Sequence, residues 1–239
     1  MPELPQPLPP GERTVGQVVA ESIRAYGNDF WRLLPLGIPL AVADQLNVHQ
    51  SPGIQILVLW ATTPLFAAAY VWACARLLNA RPTWTAFGLA VLIWLPFPAL
   101  RAVYFLPGIA WLAFIGLAVP AAIVQRLGFR EALSRGRQLG TADYVHAFGS
   151  LAALVIVVGV AAYTLSALLH TQSDNGARAA LFISELVLSP LLFIGGALLY
   201  VDQLARIGTR RPEPRSPDAD LHPSVELDAA GGADPQVEP

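Results

Sequence analysis

Lysine is absent from this chain, so all fifteen basic side chains are arginines. Cysteine is reduced to Cys74, which excludes an internal disulfide and any metal site built from several thiolates. Charge of either sign is scarce: 13% of residues carry it, where soluble domains carry roughly 25%. Motifs of chemistry are missing as well. No Walker loop occurs, and His49, His146, His170 and His222 fall in loops, at span ends or in the tail, none in HExxH or another ligand spacing. Gly149 and Ser150 lack the second glycine of a GxSxG elbow, so Ser150 near His146 reads as a packing residue rather than a nucleophile. These absences predict a protein that is not an enzyme, with no catalytic residue, metal, cofactor or nucleic-acid partner.

What is present is apolar surface, at 54% of residues, gathered in long blocks such as "IQILVLWATTPLFAAAYVWACA" and "LAALVIVVGVAAYTLSALL". Each block reaches about the twenty residues that carry a helix across ~30 Å of hydrocarbon. A bilayer offers no water to the backbone, so such runs must be helical. The predicted fold is an all-α, polytopic transmembrane bundle. Six spans can be drawn, near 31–48, 54–76, 84–100, 103–124, 146–169 and 179–204. The first contains Pro35 and Pro39, and "PFPALRAVYFLPG" reads either as an outer loop between the third and fourth or as the kink of one longer segment, which would leave five.

Arginine placement favours six, because short cytoplasmic loops collect basic residues. With the N-terminus inside, thirteen arginines fall on inner segments and only Arg101 and Arg178 on outer loops. Both termini are therefore expected in the cytoplasm.

Two stretches outside the spans have helical amphipathic spacing and are predicted to lie at the membrane interface, near 13–27 and 127–140. In the second, Phe129, Ala132, Leu133, Gly136 and Leu139 share a face, opposite Arg130, Arg135 and Arg137. Arg130, Arg135 and Arg137 are thus candidates for contact with anionic lipid headgroups, although charge that merely sets topology explains the same residues. Glu131 and Arg135 have i to i+4 spacing, Gly140 is placed to end the helix, and Thr141 with Asp143 to cap the next. In the first, Val15, Val18, Val19, Ile23 and Tyr26 form the stripe, Gly27 is placed to break it and Asn28 to cap the helix after it. The shared endings "YGNDF" and "LGTADY" admit either a faint internal duplication or simple helix punctuation.

The chain divides into residues 1–11, a proline-rich stretch read as disordered; 12–211, the membrane domain; and 212–239, an acidic, proline-rich tail read as disordered. The start lacks a basic region and a small-residue cleavage site, so the first span is expected to be retained. The tail carries formal charge −6 against +4 for residues 1–211. It reads as solvated, or as a competitor with lipid for the basic inner face.

Ionisable residues within spans are the usual functional candidates, since a central charge costs on the order of 3 kcal/mol on insertion scales. Asp44, Arg101 and Asp202 lie close enough to an interface to reach water. Glu185, five residues before Pro190, is the candidate intramembrane polar site; a hydrogen-bonded packing carboxyl is the other reading. Asp202 and Arg206 are spaced as an i to i+4 pair suited to anchoring. Gly149, Gly159, Gly195 and Gly196 are placed to let helices approach, and Trp31, Trp60, Trp84 and Trp111 to anchor span ends.

"GLAVPAAIVQRLGFREALSRGRQLG", with the N-terminal "TVGQVVAESIRAYGNDFWRLLPL" and the final "LLYVDQLAR", resembles the YciC-like group of six-span bacterial proteins. That group is related to the membrane domain attached to some glycerophosphodiester phosphodiesterases. The likeness covers roughly residues 13–207, with Gln125 where an acid is usual and Gly136 where a serine is. It implies an integral inner-membrane protein without an assigned activity. Exclusive use of arginine and abundant alanine suggest a bacterium of high GC content, hence a bacterial cytoplasmic membrane. Two functions are compatible with these residues: a non-enzymatic protein binding lipid or a membrane-protein partner through its basic inner face, or a small transporter or lipid-handling carrier with Glu185 as its polar element.

Overall fold

The computed structural model describes residues 8–103, 105–169 and 174–209, and among these residues there is no strand. The first elements are α1 (Val15–Asn28), α2 (Phe30–Leu33), a 3-10 turn (Leu34–Gly37) and α3 (Ile38–Asn47). A long helix, α4 (Pro52–Leu77), precedes four shorter ones: α5 (Trp84–Trp94), α6 (Phe97–Val103), α7 (Phe105–Ile115) and α8 (Ala118–Val124). The last four are α9 (Phe129–Ala142), α10 (Tyr144–Leu169), α11 (Asp174–Leu188) and α12 (Pro190–Thr209).

Four stretches are long and apolar enough to cross a membrane: Pro52–Leu77, Leu106–Val124, Tyr144–Leu165 and Arg178–Gly208. Trp84–Leu100 is apolar but shorter. The stretch 31–48, expected as one span, is broken. Pro35 and Pro39 each remove a backbone donor, and the chain takes up the interruption as the 3-10 turn. The segments 84–100 and 103–124 form the two arms of an antiparallel hairpin. Trp111 Nε1 donates to the Ile93 carbonyl at 2.9 Å, and the Phe97 ring packs on Gly108 nearer the turn.

The two segments expected at the membrane interface are helices whose buried faces are covered by other helices. α1 begins at a capping box, Thr14 N–H donating to Gln17 Oε1 at 2.9 Å and Gln17 N–H returning to Thr14 Oγ1 at 3.4 Å. It then runs antiparallel to α12, Gly11 beside Ala205 and Ser22 beside Gly195, and buries Val18, Ser22 and Tyr26 while Ile23 stays exposed. Gly27 does not break it; α1 continues to Asn28, and Asp29 stands at the start of α2.

α9 folds back along α7 and α8 through small residues four apart, Ala132, Gly136 and Gly140, all buried. A Cβ on Gly136 would overlap the Ala118 backbone, and one on Gly140 the Phe114 carbonyl. Helices in lipid gain little from apolar contact alone, so association depends on this closeness of approach. Gly140 is thus a packing residue, and the helix ends at Ala142. Asp143 caps α10 as its position suggests, accepting from His146 N–H at 3.2 Å, whereas the Thr141 hydroxyl turns back to the Arg137 carbonyl at 2.9 Å. The spacing of Glu131 and Arg135 is not used as a pair: Glu131 accepts from Gly128 N–H at 3.4 Å, and Arg135 bonds Gln138.

Two further seams close the bundle, one at backbone distance and one through a side chain. Pro190 has no N–H to give the Leu186 carbonyl four residues earlier, and Gly37 of the 3-10 turn sits against that oxygen so tightly that a Cβ would overlap it. Gly195 instead makes room for the Leu154 side chain of α10, whose methyl end a Cβ there would overlap. Gly11, at the end of the stretch read as disordered, is held on α12: at φ +97°, where only glycine is unstrained, it donates its N–H to Asp202 Oδ1 at 2.9 Å. The tail 212–239 lies outside the described residues.

Gly136→Leu is expected to destabilise the protein by about 1–3 kcal/mol through overpacking, read as a lowered Tm in detergent. Gly88→Ala, whose added Cβ meets nothing within 4 Å, is expected to leave Tm unchanged. Equal Tm values for the two variants would contradict the seam.

Candidate functional site

Where glycine closes the seams, bulky side chains line the centre. A cavity of about 310 Å³ lies among α3, α4, α5, α6, α7, α10, α11 and α12. Its aromatic wall is contiguous. Phe66 of α4 stacks on Trp94 of α5 with ring centroids 5.3 Å apart, Trp94 meets Phe97 at 5.1 Å, and Phe193 of α12 closes on Trp94 at 6.0 Å. Tyr70 stands one turn beyond Phe66, its ring 6.5 Å from Phe193, its hydroxyl donating to the Gly116 carbonyl at 3.2 Å. That carbonyl lies at the break between α7 and α8. Gly196 makes room for the Tyr70 ring, which a Cβ there would meet at 3.0 Å.

Spacing on α11 and α12 explains which residues face the cavity. Glu185, Ser189 and Phe193 recur at four-residue intervals and all line it, followed by Gly196 and Leu199. Ser189 N–H still reaches the Glu185 carbonyl at 3.1 Å, so the stripe is continuous across Pro190. Glu185, the expected intramembrane polar site, is buried in this wall. Asp44 of α3 is a second carboxyl on it. Arg101 was a third ionisable candidate, and its side chain lies outside the described residues.

The three candidate arginines are not gathered into one patch. Arg130 and Arg137, seven residues apart, share a side of α9 and are exposed, while Arg135 points about 140° around the helix and is half-buried. The Arg137 guanidinium lies 5.5 Å from the centre of the Phe114 ring, which holds it against α7. Asp202 and Arg206 do pair, as their spacing suggests, but within a larger node. Asp202, fully buried, accepts from Arg206 Nε at 2.8 Å and lies 3.0 Å from His146 Nε2. Arg206 also reaches Asp143 Oδ2 at 2.9 Å and the Arg13 carbonyl at 2.8 Å. Three chain segments, the N-terminal stretch, the start of α10 and the end of α12, meet on one guanidinium. Ser150, one turn after His146, is buried with its hydroxyl unpaired, so it has no hydrogen bond to a base.

Sequence reasoning picked out Glu185 and the Asp202–Arg206 spacing, and missed the aromatic wall and the partners Asp143 and His146. The four-residue stripe Glu185, Ser189, Phe193 was the one local signal of the cavity face. Comparison with family models, curated proteins and solved structures finds no match.

Asp202→Ala removes the buried partner of Arg206 and the acceptor for Gly11, and a loss on the order of 3 kcal/mol is expected. The expected readout is a lowered Tm together with faster tryptic cleavage at Arg13, and unchanged cleavage would show that the node does not hold the N-terminal segment.

Proposed function

We propose that the chain is a six-span integral membrane protein that holds an apolar membrane component in its central cavity, acting as a binder or carrier and not as an enzyme. The cavity carries this reading. At about 310 Å³ it falls at the lower end of small-molecule sites, which are mostly apolar with a few placed polar groups. Apolar cavities stay dry, so within a bilayer the natural filling is hydrocarbon. The wall is chiefly aliphatic and aromatic, with Glu185, Asp44 and Ser189 as its polar members.

Four stretches already have the length and apolarity of spans. In the six-span reading the remaining two are the proline-broken segment 30–47 and the shorter Trp84–Leu100 arm. The arginine bias supports both termini on the cytoplasmic side of a bacterial inner membrane, and the resemblance to YciC-like proteins agrees with that placement.

A second reading, anionic headgroups bound at the basic face, is favoured by one observation: Arg130 and Arg137 are exposed on the same side of α9. Native mass spectrometry of the protein extracted in mild detergent tests both. The first reading predicts a retained hydrophobic molecule that is lost in Gly159→Phe, a residue on the cavity wall whose Cβ would meet nothing within 4 Å. The second predicts retained anionic lipid that is lost in Arg130→Gln, Arg137→Gln. Retention that neither variant alters would contradict both.

A further inference from the structure

Several arginines of this chain are held by the protein itself. Arg24 pairs with Glu21, Arg32 lies 3.7 Å from Asp29, Arg137 rests against the Phe114 ring, and Arg206 joins Asp143 to Asp202. Arg81 and Arg126 are not. Both are exposed, and their side chains form no hydrogen bond, ion pair or ring contact with the described residues.

The fold brings these two to one place. The turn from α4 to α5 and the turn from α8 to α9 meet at an open cleft of about 320 Å³ lined by Arg81, Thr83, Thr85, Ala122, Arg126 and Leu127. Each turn is set by a left-handed residue that is not glycine. Asn79, at φ +48°, ends α4, and the Ala80 N–H then donates to the Ala75 carbonyl at 3.0 Å, which fixes where Arg81 leaves the helix. Arg126 itself, at φ +50°, ends α8. A position that glycine would fill without strain thus carries a guanidinium. Thr83 Oγ1 accepts from Ala86 N–H at 3.1 Å and keeps its own proton to donate. No carboxylate is among the described residues lining the cleft, so two positive charges share it without a counter-charge.

An anion relieves that repulsion, and guanidinium is the side-chain group best matched to phosphate oxygens. Depth selects where the phosphate comes from. Pro52–Leu77 and Leu106–Val124 have the length and apolarity of spans, and the cleft lies just beyond the end of each. Trp84, between the two threonines of the cleft, is 88% exposed, as suits an aromatic anchor at headgroup level. We propose that the cleft binds the phosphate-bearing headgroup of an anionic phospholipid, with Arg81 and Arg126 supplying the counter-charge. The proposal rests on the reading of the chain as a membrane protein and is independent of the central cavity and of Arg130 and Arg137 on α9.

The test exposes the purified full-length protein in detergent to dioleoyl phosphatidylglycerol or dioleoyl phosphatidylcholine, which share acyl chains and differ in net charge, and scores bound lipid by native mass spectrometry. Wild type is expected to prefer phosphatidylglycerol. Arg81→Gln, Arg126→Gln should lower its occupancy by roughly 10-fold, the size of effect when a hydrogen bond to a charged group is lost, and leave phosphatidylcholine binding and Tm unchanged. Arg81→Gln alone leaves the Arg126 turn untouched and should carry part of the loss, so the outcome does not hang on the stability of the double variant. Equal binding of the two lipids by wild type would overturn the proposal. So would an equal loss in Arg130→Gln, Arg137→Gln, which would assign the preference to the basic face as a whole. Inorganic phosphate alone should leave Tm unchanged; a rise that the Arg81→Gln, Arg126→Gln variant lacks would give the cleft to a soluble phosphate instead. Retention of the chain in the membrane pellet after an alkaline wash tests the membrane reading separately.

Discussion

Everything in this bundle depends on how closely one helix backbone can approach another. In lipid the usual gain from burying apolar side chains is absent between helices, and contact must come from packing and from polar groups within the bilayer. The chain meets that constraint with glycine. Gly136 and Gly140 bring α9 onto α7 and α8, Gly37 brings the 3-10 turn onto the carbonyl that Pro190 leaves without a donor, and Gly195 admits Leu154. The proline that would otherwise weaken α11 and α12 thereby becomes a docking point for the N-terminal half.

The same logic makes the cavity. Between the closed seams, α4, α5 and α12 present Phe66, Tyr70, Trp94 and Phe193, rings that pack on one another along one side of the cavity. Tight edges and aromatic side chains border a partly open apolar volume with a polar stripe, Glu185 and Ser189. At the end of the bundle that carries Asp143 and Arg206, the node they form with Asp202 and His146 fixes the start of α10 to the end of α12, and the Arg13 carbonyl ties in the N-terminal segment. The cavity is therefore bounded by helices, α10 and α12 among them, that this node ties together at one end.

Much of this was legible in the residues. Apolar block length announced helices, and four of the blocks have the dimensions of spans. Asp143 as a cap and Asp202 beside Arg206 could be read from local spacing, because both act within about one turn. What failed was anything decided at a distance. Gly27 and Gly140 look like helix stops, yet packing carries the helices past them. The apolar faces of α1 and α9 have a period suited equally to lipid or to protein, and only the fold shows that helices cover them. Arg130, Arg135 and Arg137 share a segment, but the helix turns Arg135 away and Phe114 holds Arg137. The aromatic wall joins residues from separate helices, and no spacing within one helix encodes that meeting.

Occupancy of the central volume in a membrane is the claim on which the rest turns. The most direct measurement is the structure of the protein by electron cryomicroscopy after extraction in native lipid discs, without detergent. The expected result is elongated density in the cavity, in contact with Phe66 and Phe193. A centre filled by protein side chains, with no such density between them, would contradict it.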